Sequence, residues 1–129
     1  MSSSSPIYPA RAVPPVSPCA RHRLRQRTYQ GIPSIAVLPG GLFFACAYSG
    51  GDGECQQNYV FLMVSRDYGR RWSDAVAVVD PPQKDVRAFD PVVWVSPQGE
   101  LCLFWTIVRG ARSGVSWLSP SGGKTDTRR

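Results

Sequence analysis

Between residues 31 and 108 the chain alternates short apolar runs with clusters of glycine, proline and polar residues. Ile32–Leu38 is rich in branched side chains and stops at Pro39-Gly40-Gly41; Leu42–Tyr48 follows at the distance expected of a hairpin with a short glycine loop. Ser49–Asn58 is a ten-residue polar loop with three glycines, long enough to carry function. Tyr59–Ser65 is apolar, Asp67–Trp72 reads as a turn, and Ala75–Val79 is a short apolar strand ended by Asp80-Pro81-Pro82. Four such runs in succession predict one antiparallel meander. No segment has the periodicity, length and caps of a helix.

The pattern then restarts. Pro33-Ser34-Ile35-Ala36-Val37-Leu38-Pro39 matches Pro91-Val92-Val93-Trp94-Val95-Ser96-Pro97 at an offset of 58, and Leu42–Tyr48 matches Leu101–Ile107 at 59. Each unit opens with a proline-led strand and turns through glycine, which predicts a repeat architecture of the propeller type. The competing explanation is chance similarity between two hairpins, since proline and glycine are common turn residues.

Composition limits what this pattern can be. A chain of 129 residues permits one modest domain, and 43% hydrophobic with 19% charged residues is a globular balance. The formal charge of +6 is unevenly spread. Residues 1–29 hold five arginines and no acid, residues 109–129 hold five bases against one acid, and residues 30–108 hold five bases against eight acids. Excess basicity therefore belongs to the ends, which argues against nucleic acid as the partner of the body. A tail-driven polyanion binder rests on the arginine-rich end alone.

Five prolines in the first 18 residues and the run Ser2–Ser5 predict a disordered tail over 1–27; the polar, glycine-rich 119–129 predicts a second. The start lacks the features of a secretory leader, and no apolar run approaches the roughly 20 residues of a bilayer span, so no membrane partner is expected and the compartment stays open. Cys19, Cys46, Cys55 and Cys102 show no CxxC spacing; Cys46 and Cys102 lie in apolar runs and read as buried free thiols, with a disulfide framework still possible. The lone histidine, His22, sits among arginines, which argues against Ser-His-Asp or Cys-His catalysis and excludes a two-histidine metal site. Neither metal nor cofactor is expected.

Ser65-Arg66-Asp67-Tyr68-Gly69-Arg70-Arg71-Trp72 reads Ser-x-Asp-x-Gly-x-x-Trp and resembles the Asp box, the bacterial neuraminidase repeat of sialidase-like β-propellers. Its chemistry suits a hairpin: Asp67 can accept backbone N–H groups across the turn, Gly69 permits positive φ, and Trp72 can cover the turn. Tyr29-Gln30-Gly31-Ile32-Pro33-Ser34 is similar to the family's opening motif, aromatic-Arg-Ile-Pro, and Arg87-Ala88-Phe89-Asp90-Pro91-Val92-Val93 is similar to the start of its second blade. The resemblance to the sialidase (neuraminidase) superfamily covers about residues 27–108. It implies an all-β partial propeller over 28–118: blade one at 31–80 and an incomplete four-stranded blade two at 87–118. It also implies that Asp67 is structural rather than catalytic.

By the same resemblance, a complete relative hydrolyses terminal sialic acid or a related acidic sugar, with a tyrosine nucleophile, a glutamate that activates it, an aspartate acid/base and an arginine cluster on the substrate carboxylate. The first arginine's position is occupied here by Gly31, and Arg27 is the upstream candidate to replace it, against a solvated tail arginine. The loop after the second strand offers Asp52 and Glu54, of which Asp52 is the preferred acid/base candidate, against a plain turn aspartate. Arg87 and Asp90 are the substrate-contact candidates, against an intra-loop ion pair or a capped strand start. The remaining machinery belongs to blades absent from this chain, which reads as an N-terminal fragment or truncated product and is not expected to hydrolyse a glycoside alone. A non-catalytic carbohydrate-binding or assembly module on the same scaffold is the alternative. The partners implied are a sialylated or other acidic glycan, and either the missing blades or further copies of the chain.

Overall fold

Gln30–Leu38 (β1) and Leu42–Ser49 (β2) pair antiparallel, with Leu38 opposite Leu42 and Gly31 opposite Tyr48. Gly40 and Gly41, at φ 78° and 79°, turn the chain between them. Tyr59–Ser65 (β3) returns along β2 and Ala77–Val79 (β4) along β3. The computed structural model describes residues 16–109 together with the backbone of 112–118 and 125–126. The second unit repeats the meander: Val86–Val95 (β5), Leu101–Arg109 (β6), Arg112–Leu118 (β7) and the two-residue Thr125–Asp126 (β8). The chain is thus mostly β, with two antiparallel sheets in sequence order and no α-helix among the described residues. Neither sheet closes on itself. β8 falls where 119–129 reads as a tail; the rest of that segment lies outside the described residues.

Strand alternation decides which residues meet. On one face of the first sheet Ala36, Cys46, Tyr48 and Val60 point at the second sheet, whose Ala88, Val93, Leu103 and Trp105 point back, and all are buried in one core. The edges of β1 and β5 are tied where Val93 N–H donates to Ser34 Oγ at 3.0 Å.

Both first strands break register at the same place. The ladder slips between Gly31 and Ser34 in β1 and between Phe89 and Val92 in β5. Within each slip the residue before proline has positive φ, 22° at Ile32 and 45° at Asp90. Such backbone is rare for side chains bearing a Cβ and rarest for a β-branched one such as Ile32, and it bends the strand as a bulge does. Two matching irregularities 58 positions apart argue against chance similarity.

The expectation of a tail over 1–27 is corrected for its second half. Val16 bridges Val78 on β4, and residues 20–26 form two 3₁₀ turns, Ala20–His22 and Leu24–Gln26. This strap crosses the outer face of the first sheet, where Ala47, Tyr59, Phe61 and Val78 form a smaller core. Arg21 stacks on Tyr59 and Arg27 on Phe61, with guanidinium-to-ring distances of 4.9 and 3.8 Å. Arginine stems and planar heads can cover apolar rings, so a segment with little conventional apolar content still docks. Residues 1–15 lie outside the described residues.

The segment 65–72 is the turn leading from β3 toward β4. Ser65 Oγ donates to Asp67 Oδ1 at 3.0 Å and accepts Gly69 N–H at 2.8 Å; Asp67 Oδ1 accepts Arg71 N–H at 2.8 Å. Trp72 Nε1 donates to Gly69 O at 3.0 Å. Tyr68 and Gly69 both take positive φ, 62° and 81°. The N–H of Arg71, helped by Ser65 and the Arg71 guanidinium, holds the Asp67 carboxyl below its ordinary range. All of this carboxylate's interactions belong to the turn.

Candidate functional site

Thr28–Gly31 and Val86–Phe89 lie ahead of the two bulges, and the loop 50–58 meets both: Thr28 Oγ1 donates to Gly51 O at 2.9 Å and Ala88 N–H to Asn58 O at 3.3 Å. Its base is held by Asn58, a buried side chain whose Nδ2 donates to Gly50 O at 2.6 Å and Gly53 O at 3.0 Å while its Oδ1 accepts Cys55 N–H at 3.0 Å. Gly50, at φ 97°, lies so close to Gln57 O that a Cβ would sit 2.3 Å from it. These contacts fix the backbone on either side of Glu54.

Glu54 is the centre of the site. Its carboxylate accepts the Tyr29 hydroxyl at 2.5 Å, the Tyr48 hydroxyl and Arg87 Nη2. Hydrogen bonds from Tyr29 and Tyr48, and then the Arg87 charge, pull the Glu54 carboxyl down to about 2 from 4.5. Burial and the bond to Glu54 push the Tyr48 hydroxyl above its ordinary range, so it stays protonated and serves as a donor. Arg87 lies over the Phe89 ring at 4.0 Å, and its side chain is 14% exposed against 52% for Glu54.

The sequence candidates divide among different places. Arg87 is in this cluster, and Asp52 stands at its rim, exposed, with Oδ1 accepting the Thr28 hydroxyl at 3.2 Å. Asp90 lies at the β5 bulge, where no hydrogen bond or ion pair engages its carboxylate among the described residues. Arg27 is not brought to the others. Its side chain is 0% exposed on the opposite face of the sheet, donating to His22 O at 2.8 and 3.0 Å and to Asp74 at 3.1 Å. It therefore cannot stand in for the arginine absent at position 31. Gly31 itself leaves no room for one: a Cβ there would lie 2.4 Å from the Tyr48 ring.

No protein-family model matches this chain, and no curated protein matches it.

Tyr29 and Tyr48 are the residues that inspection of motifs passes over. A signal for Tyr29 was present, since the offset of 58 that aligns the two prolines also aligns Tyr29 with Arg87. Equivalent positions of the two units thus hold the same carboxylate from two sides. Tyr48 has no comparable signal, because its role depends on the loop folding back.

A second constellation, Cys19, His22 and Asp80, has the composition of a nucleophilic triad but not its geometry. His22 is 3% exposed; its Nδ1 accepts Cys19 N–H at 2.9 Å and its Nε2 faces Asp80 Oδ2 at 2.7 Å. With Nδ1 taken as an acceptor, the neutral ring carries its proton on Nε2 and has no lone pair left for the thiol. An adjoining cleft of ≈ 180 Å³ is lined in part by Cys19, His22 and Asp74. All four cysteines are free, with Cys46 and Cys102 buried as their apolar context predicts. No group of metal-ligating side chains occurs among the described residues, and no described helix is long and apolar enough to cross a membrane.

Proposed function

We propose that this chain is a pair of blades of a sialidase-like β-propeller whose complete form hydrolyses a terminal sialic acid or related acidic sugar. In this reading the end of the sheets that holds Arg87, Asp52 and Asp90 faces the sugar, and the chain alone binds without turning over. The observation that carries it is the convergence of Arg87 Nη2 and two tyrosine hydroxyls on one carboxylate, at the end where both proline-led first strands begin. The Asp-box hydrogen bonds and the paired bulges support the same scaffold. Arg87 supplies the charge for an acidic sugar, and Asp52, at the rim, is the acid/base candidate.

One observation favours the non-catalytic alternative, a carbohydrate-binding or assembly module: the space of an opening-motif arginine is filled by the Tyr48 ring against Gly31. Both readings predict that the chain binds 3′-sialyllactose in preference to lactose, that Arg87→Met removes the preference, and that a fluorogenic sialoside is not hydrolysed by the chain alone. Isothermal titration measures the first two. Equal affinity for the two sugars would overturn both readings. Adding sialidase-like blades that complete the ring separates them: turnover that Asp52→Ala abolishes supports the enzyme, and binding without turnover supports the module.

A further inference from the structure

We propose that Glu54 is a tethered plug: its carboxylate occupies, in cis, a binding site for an external carboxylate formed by Arg87, Tyr29 and Tyr48. The inference shares its site with the reading above and rests on it for the sugar, but not for the carboxylate.

Three groups donate to the Glu54 carboxylate, and the two tyrosine hydroxyls among them lie 3.3 Å from one another. Arg87 has no acceptor capacity, and both tyrosine hydroxyls point their hydrogens at the same carboxylate. The donors stand on β2 and on the first residues of the two units, and the Phe89 ring backs the guanidinium. Tyr48 and Arg87 are strand positions and Tyr29 immediately precedes β1; Tyr48 lies in the shared core and Tyr29 packs against it. Glu54, in contrast, comes from a loop and is half exposed.

Glu54 also fits the site incompletely. It takes only Nη2 of Arg87, while Arg87 Nε is buried and has no hydrogen-bond partner. A guanidinium edge presents Nε and Nη2 as a parallel pair matched to the two oxygens of one carboxylate. An incoming carboxylate approaching along that edge would satisfy Nε, which Glu54 leaves unpaired, and keep the tyrosine donors. Displacing Glu54 needs no loop opening. Asn58 clamps the backbone at Gly50, Gly53 and Cys55, so release is a side-chain rotation into solvent, where the freed carboxylate is hydrated.

A tethered competitor lowers the apparent affinity for a free ligand by the fraction of time it holds the site. Propionate is the minimal probe and N-acetylneuraminate the larger one, with neutral N-acetylmannosamine as control. Binding is followed by NMR on the full chain, from the Arg87 Nε–H and the Gly50, Gly51 and Gly53 amides. Glu54→Ala is expected to tighten propionate about tenfold over the unsubstituted chain, and Glu54→Ala with Arg87→Met to abolish it. Glu54→Gln keeps the shape of the side chain and removes its charge; it is expected to tighten propionate in the same direction and carries the test if the alanine variant does not fold. In the unsubstituted chain, saturation with propionate should move the Glu54 carboxyl ¹³C resonance. Affinity unchanged by removing the Glu54 carboxylate, or shifts confined to the arginines of the strap, overturns the plug. Tightening for propionate with no gain for N-acetylneuraminate leaves the plug standing and overturns the sugar. Binding of N-acetylneuraminate that is indifferent to Glu54 overturns the plug and leaves the glycan reading intact.

Discussion

At the scale of single residues, Glu54 makes the site sensitive to acid in a defined window. Its carboxyl is held down to about 2 by Tyr29, Tyr48 and Arg87, from 4.5 in a free chain. A group whose pKa is depressed by folding stabilises the fold fully above its unfolded value and loses that contribution as pH falls through its folded value. The Glu54 contribution is therefore complete above about pH 4.5 and gone below about pH 2. Solvent screening at a half-exposed carboxylate keeps it near 1 kcal/mol. Urea titrations of the unsubstituted chain and Glu54→Gln should differ by about that amount at pH 7 and converge toward pH 2; a constant difference at all pH would show that the charge is not what matters. Gly31 acts in the same place by having no side chain. Gly31→Ala is expected to push the Tyr48 hydroxyl off Glu54, visible as a loss of the depressed Glu54 titration by NMR, and an unaltered titration would mean that the backbone yields instead.

At the scale of elements, the strands and turns were largely legible in the chain, and the site only in part. The first three strands and their hairpin connections follow from apolar runs bounded by glycine and proline, because each depends on neighbours in sequence. The turn at 65–72 is legible for the same reason: Ser65, Asp67, Gly69 and Arg71 bond to one another within seven residues. Ser65→Ala removes a buried hydroxyl that both donates to Asp67 and accepts Gly69 N–H, and should cost about 1–3 kcal/mol in thermal or urea unfolding. A change within 0.3 kcal/mol, on the order of ordinary surface substitutions, would assign the turn's stability to Trp72 and the glycine instead. What local pattern could not give is convergence over distance. Tyr29, Tyr48, Glu54 and Arg87 lie on four separate segments, so no local motif announces Glu54 as the common acceptor of the other three. Arg27 was misplaced by the same limitation: nothing near it in sequence announces Phe61 or Asp74 as its partners.

At the scale of the whole molecule, two sheets share one core, so the two units should not unfold separately. Trp105, on β6, is buried in the cluster that includes Tyr48 and Val60 of the first sheet. Trp105→Ala is expected to cost about 3–5 kcal/mol and to lower a single unfolding transition seen alike by circular dichroism and tyrosine fluorescence; two separated transitions would mean that the sheets are independent units. The strap over the outer face of the first sheet has a further consequence, one of timing. Arg21 binds Asp80, 59 residues downstream. At the usual pace of synthesis the strap emerges about 3–12 s before that partner exists. During that interval it must neither fold on its own nor adhere to other nascent chains. Arginine suits a segment that has to wait: it stays hydrated in isolation, yet its guanidinium planes can settle on Tyr59 and Phe61 once the sheet is there. The composition that reads as a tail is what a late-docking clasp requires.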